Sequence, residues 1–276
     1  MPKYRIGAHP YIFVQYGYDF DKQFDEIFDI IAETGYQAIE LHEPMLYVEN
    51  WKERVNNALK RTGLGLVGGS TGHPMWDISQ YEKIISAMDD YSSRLSGFGK
   101  VLCGTSCTGK RYADRRPEEN EQAVKVWSEL GKMFKSKGVT LNYHTHGEPV
   151  ADIRHFLQNV PSDLVALGPD LDWLRVGDLD PIDFITANVS RIVMLHIRDY
   201  RIGGARTEAL GEGNADYWHL GKVLEEIGFK GEFVVELAIP DGKQPSRPVS
   251  ELLKISRDHL QETLGWSNVW KEIIGE

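Results

Sequence analysis

Glu236 stands in the run FVVELAIP, directly behind two valines. A carboxylate carried into an apolar strand needs a counter-ion, because desolvating an unpaired charge is expensive. Asp170 in VALGPDLDW and His196 in IVMLHIRD share that predicament. One shared cation accounts for the three together better than three separate partners would. Other polar residues also follow short apolar runs: His9, Glu40, His42, His73, Cys103, His144, His146, Asp172, Arg198 and Asp199. Six of the nine histidines fall at such places. Imidazole titrates near ~6.5 and suits proton transfer at neutral pH. A ligand set of imidazole and carboxylate without thiolate suits Mn2+, Zn2+, Co2+ or Fe2+ better than Ca2+. Such an ion acts as a Lewis acid on a carbonyl or hydroxyl.

The elements that must position these residues repeat along the chain. An amphipathic helix, a break usually holding glycine and a short apolar strand recur in IIAETGYQAIEL, ALKRTGLGLVGG, SRLSGFGKVLCG, FKSKGVTLNYH, VPSDLVALGPD, NVSRIVMLHI and EEIGFKGEFVVEL. RIGAHP supplies an eighth strand at the front. Strands are expected to end near residues 8, 40, 67, 102, 142, 167, 194 and 235. Their spacing averages about 32 residues, the length of a βα unit, and eight such units close a barrel. Gly35, Gly63, Gly97, Gly138 and Gly228 fall where helix C-caps take a left-handed residue. Phe20, Phe24, Ile27, Phe28 and Ile31 recur at helical spacing, with Asp19 or Asp21 as N-cap. The expectation is one α/β domain over 1–276, a single (β/α)8 TIM barrel. An open doubly wound sheet is the alternative.

In such a barrel the strand C-termini converge on one mouth. The polar residues above therefore form one candidate site, with His9, Glu40 and His73 as substrate contacts. The final ~25 residues read as an extra helical segment. There Trp270, Ile273 and Ile274 share a face one turn beyond Trp266, a stripe suited to the chain's own barrel or to a homo-oligomer contact.

A net charge of −10 argues against a nucleic-acid partner. No run of 18 or more apolar residues exists to span a membrane. The opening MPKYRIGAHPY has no apolar core of a signal peptide, so a cytoplasmic setting is expected. The cysteines of CGTSC, Cys103 and Cys107, read as small residues at a strand end rather than a metal or redox pair.

At LNYHTHGE, GPDLDWLRVGDLDP, VMLHIRDY, EALGEGNADY and FVVELAIPD the sequence resembles the sugar phosphate isomerase/epimerase family, the xylose isomerase-like TIM barrels. The resemblance covers nearly the whole chain. It implies a divalent metal, Mn2+ first, held by one residue from each of strands five to eight. Those positions fall on His144, Asp170, His196 and Glu236, with His144 standing where many members have glutamate. It further implies His146 and Glu236 as proton carriers and Arg198 as a contact to a substrate oxygen or anion. Trp173 would stack on a sugar face or pack under a loop.

The expected activity is isomerisation or epimerisation at the carbon next to a carbonyl of a sugar, keto-sugar or cyclitol, through an enediolate. The departure at His144 keeps a keto-sugar or inosose dehydratase as the alternative. A nuclease like endonuclease IV, or a non-catalytic sugar-binding barrel, ranks below both. The former would need further metal ligands and a basic face.

Overall fold

The computed structural model describes residues 4–239 and 243–264. Eight parallel strands form one sheet: β1 (Ile6–Ala8), β2 (Ala38–His42), β3 (Gly65–His73), β4 (Val101–Cys107), β5 (Val139–Tyr143), β6 (Ala166–Leu167), β7 (Met194–Ile197) and β8 (Glu232–Val235). Neighbours follow chain order, and β1 pairs with β8. The remaining gap, β6 to β7, is bridged in parallel at Leu167–Ile192 and Asp170–His196. The result is a nearly closed TIM barrel, as expected. Its last seam is thin because Gly168 and Pro169 end β6 early. Proline has no N–H to offer a ladder, and a Cβ on Gly168 would lie 1.9 Å from Asn142 Oδ1.

The helices surround the sheet: α1 (Tyr11–Gln15), α2 (Phe24–Glu33), α3 (Trp51–Thr62), α4 (Tyr81–Ser96), α5 (Pro117–Ser136), α6 (Val150–Asn159), α7 (Leu171–Val176), α8 (Pro181–Asn188), α9 (Tyr217–Glu226) and α10 (Val249–Thr263). Helix α2 buries Phe24, Ile27, Phe28 and Ile31, the stripe its sequence shows. The large core lies between helices and sheet, where both strand faces are covered. A second, small apolar cluster of Ala38, Val67, Met194 and Val234 is separate from it.

Four local expectations need correction. Strands β3 and β4 continue past 67 and 102, to His73 and Cys107, because Gly68–Leu102 through His73–Cys107 stay paired in register. Cys103 therefore lies inside the strand and not at its end, whereas Cys107 is its last residue, and both are free and buried. Gly97 has a right-handed φ of −66°, and the left-handed residue after α4 is Gly99 at φ 85°. Helix α2 starts behind Gln23 without a side-chain cap, while Asp19 Oδ1 accepts from the N–H groups of Asp21 and Lys22 in the preceding turn. Among the described residues no helix is long and apolar enough to cross a membrane. The tail expectation for Trp266, Trp270, Ile273 and Ile274 lies outside the described residues.

Candidate active site

Successive strand residues face opposite sides, so residues two apart share a face. Ala38, Met194 and Val234 belong to the small apolar cluster, and two residues on from each stand Glu40, His196 and Glu236. The same step beyond Asn142 gives His144. Apolar side chains thus close the barrel and ionisable ones stand above them. Asp170 is the N-cap of α7, its Oδ1 accepting from the N–H groups of Asp172 (2.9 Å) and Trp173 (3.0 Å). One ligand atom each from His144, Asp170, His196 and Glu236 lies within 4.8 Å of the others.

Arg198 bridges the two carboxylates of this group. Its Nε donates to Asp170 Oδ2 at 2.6 Å, and its Nη2 is 2.5 Å from Glu236 Oε1. His196 Nδ1 is 2.6 Å from Glu236 Oε2, and its Nε2 is 2.7 Å from Glu40 Oε2. The second contact has ion-pair distance without hydrogen-bond alignment, which leaves both Glu40 oxygens and His196 Nε2 without a hydrogen bond. Burial alone would lower the His196 pKa, but Glu40 and Glu236 outweigh it and raise it to about 10. Burial likewise opposes ionisation of Glu236, yet Arg198 and His196 hold its carboxyl well below the ordinary range. Burial raises Asp170, with Arg198 acting against it. His144 is driven well below the ordinary imidazole value by burial, so it is neutral, and its buried Nδ1 has no hydrogen-bond partner.

These residues fit a divalent ion. His144 offers an unshared nitrogen lone pair, two carboxylates supply charge, and the proton on His196 stands in for part of a cation's charge. Glu40 beneath His196 would orient that ring, as carboxylates commonly do behind metal-bound histidines.

Above the cluster opens a cavity of about 390 Å³ lined by His9, His146, Trp173, Arg198 and Glu236 among others. His9 Nδ1 accepts from Tyr11 N–H at 3.1 Å, so its Nε2 carries the proton and donates to Ser70 Oγ at 2.7 Å. Burial brings its pKa down to about 4. His146 stands at the rim with its ring centroid 4.1 Å from that of Trp173. Desolvation of the ring lowers its pKa, and no described residue hydrogen-bonds its ring nitrogens. Of the residues assigned to substrate, His9, Trp173 and Arg198 line the cavity. Glu40 is fully buried below it, and His73 sits behind the wall formed by Thr71 and Glu43. Asp199 ties down the following loop by accepting from the N–H groups of Gly211, Gly213 and Ala215.

Sequence reasoning missed Ser70, Glu43 and Arg206 in this wall. Arg206 donates from Nε to Asp172 Oδ2 at 2.7 Å and lies 4.0 Å over the Trp173 ring. Asp172 pointed to it indirectly, since a fully buried carboxylate needs a cation.

Residues 28–262 match the family model described as xylose isomerase-like TIM barrel. The chain belongs to that family. It is 27% identical over 169 residues to an inosose dehydratase of Halalkalibacterium halodurans, covering 53% of this chain and 54% of that one. It is 26% identical over 97 residues to the L-ribulose-5-phosphate 3-epimerase UlaE of Escherichia coli, covering 35% and 33%. These matches span about half or less of the relatives' length. A solved L-ribulose 3-epimerase superposes with a TM-score of 0.76 at 17% identity, over 99% of this chain and 98% of that one. Its likeness is one of fold.

Proposed function

We propose that this family member is a divalent-metal-dependent isomerase or epimerase acting beside the carbonyl of a small sugar, keto-sugar or cyclitol. The convergence of His144, Asp170, His196 and Glu236 below a cavity with a neutral His146 at its rim carries this reading. Those four residues would hold the ion, Mn2+ first among Mn2+, Zn2+, Co2+ and Fe2+. The ion supplies Lewis acidity toward a substrate carbonyl or hydroxyl oxygen.

The protein's own part is proton movement and positioning. His146 takes the proton from the carbon beside the carbonyl, and the electron pair moves onto the carbonyl oxygen. Isomerisation is completed when that proton returns to the former carbonyl carbon while the adjacent hydroxyl's proton passes to the former carbonyl oxygen, so that the C=O re-forms one carbon along. Epimerisation is completed when the original carbon takes a proton from a donor on the opposite face, the carbonyl re-forms in place and His146 yields its proton to solvent. Glu236 is the second proton carrier, but Arg198 and His196 make its carboxylate a weak base while they hold it. His146 therefore bears the larger share. His9 keeps a fixed tautomer and orients the Ser70 hydroxyl beside the substrate. Trp173 offers an aromatic face to a sugar ring.

A dehydratase is the second reading, favoured by His144 in place of a second facing carboxylate and by the inosose dehydratase similarity. There protonated His146 would give its proton to the departing hydroxyl. The test is proton NMR of the metal-loaded protein in D2O with keto-sugars and inososes. Deuterium at the carbon beside the carbonyl, or loss of water, supports the reading. No exchange and no elimination with any of them would sink it.

A further inference from the structure

A second chamber of about 520 Å³ adjoins the mouth, and Arg206 belongs to the walls of both. Resting on the reading above, we infer that this chamber binds an anionic group, a carboxylate or phosphate, at the end of the substrate remote from the reacting carbon. Arg206 is the residue that reads it.

The chain carries a net charge of −10, yet this chamber is lined by Arg201, Arg206, Lys243 and Arg247 against Glu208 and Glu212. The two carboxylates are already committed. Glu212 Oε1 is 2.6 Å from Arg247 Nη1, and Glu208 accepts from Ser246 N–H at 3.0 Å with Arg247 Nη2 at 3.4 Å. No described acid pairs with Arg201 or Lys243. Arg206 spends its Nε on Asp172, whose other oxygen holds Arg175 at 2.7 Å. Neither Nη of Arg206 has a described partner, so the two-pronged edge that matches carboxylate or phosphate is left to a ligand.

The local backbone builds this presentation. Tyr200 and Arg206 form an antiparallel bridge, and Arg201 N–H donates to Ala205 O at 2.7 Å. Gly203 (φ 98°) and Gly204 (φ 94°) close the turn in a region that side chains disfavour. Asp172 and the Trp173 ring then fix the guanidinium from behind. A fixed fork loses little freedom on binding, so the anion keeps most of the interaction.

Calorimetry decides this with four probes: a neutral ketohexose, its terminal phosphate ester, the matching terminal carboxylate, and inorganic phosphate. The wild-type chain should bind one of the anionic sugars at least about tenfold tighter than the neutral one. That advantage should shrink as salt rises from about 50 to about 500 mM. Tighter phosphate ester and measurable inorganic phosphate identify phosphate as the group read, and tighter carboxylate with silent inorganic phosphate identifies a carboxylate. Arg206→Met should erase the advantage. Arg206→Lys, which keeps charge without the fork, should retain only its salt-sensitive part, and thermal melts confirm that both variants fold. Equal binding of neutral and anionic sugars by wild type, or an undiminished advantage in folded Arg206→Met, overturns the inference. Deuterium exchange into neutral ketohexose without an anion advantage would sink this inference alone. An anion advantage with neither exchange into nor elimination from any sugar would uphold the chamber and sink the proposed chemistry.

Discussion

The barrel has a cavity at each end, and the larger is the less informative. The one at the strand N-termini, about 540 Å³, is lined by Arg5, Lys100, Lys230 and Glu232 over Val67 and Leu102. Its one carboxylate is fully served: Arg5 donates to Glu232 from Nε at 2.9 Å and from Nη2 at 2.6 Å. None of the described buried polar side-chain atoms without a partner belongs to a residue lining it. The mouth at the C-termini is smaller, about 390 Å³. In and beneath it His42 Nδ1, His144 Nδ1, Trp173 Nε1, His196 Nε2 and both Glu40 oxygens are buried with no hydrogen bond. A fold tolerates such atoms where something else is meant to meet them. The difference makes the mouth, and not the larger hollow, the candidate site.

The contrast breaks if substitutions at the two ends have similar effects. His146→Ala should lower turnover by about two to four orders of magnitude while the metal stays bound. Loss of the metal as well would make His146 a ligand, and unchanged turnover would remove it from the chemistry. Next comes pH. The unfolded chain protonates His9 below ~6.5, whereas burial delays this in the folded chain to about 4. Stability should therefore fall as pH drops from ~6.5 to ~4, by about 3 kcal/mol from this residue. Chemical denaturation of His9→Gln across that window should show a shallower acid slope, and an unchanged slope would contradict the assignment. Smallest is the base. Arg5→Ala removes an exposed ion pair and should cost less than about 1 kcal/mol, with turnover within a factor of two. A tenfold loss of turnover would give the base a function this account denies it.

Much of the fold and the centre of the site were legible in the sequence, for one reason. His196 and Glu236 each stand two residues beyond an inward apolar residue, and a period of two fixes which way they face. What escaped depended on side-chain reach or irregular backbone. Arg198 looked free to meet a substrate, and only three-dimensional distances reveal its grip on Asp170 and Glu236. Glu40 ends an apolar run as His9 does, but it lies under His196 rather than in the cavity wall. GGSTGH and CGTSC are poor in β-branched and bulky residues, so their strands seemed to stop early, whereas continuous pairing between them keeps both extended. Arg206 sits on a turn after β7, outside any periodic pattern.

The central claim is that the four convergent side chains hold one divalent ion, and metal titration of the full chain with elemental analysis tests it most directly. Glu236→Gln keeps the shape of the side chain and removes its charge. Wild type should take up about one Mn2+ or Zn2+ per chain, and Glu236→Gln should lose metal affinity and activity together. Stoichiometric metal with full activity in Glu236→Gln, or catalysis by wild type stripped of all divalent ions, would contradict the account.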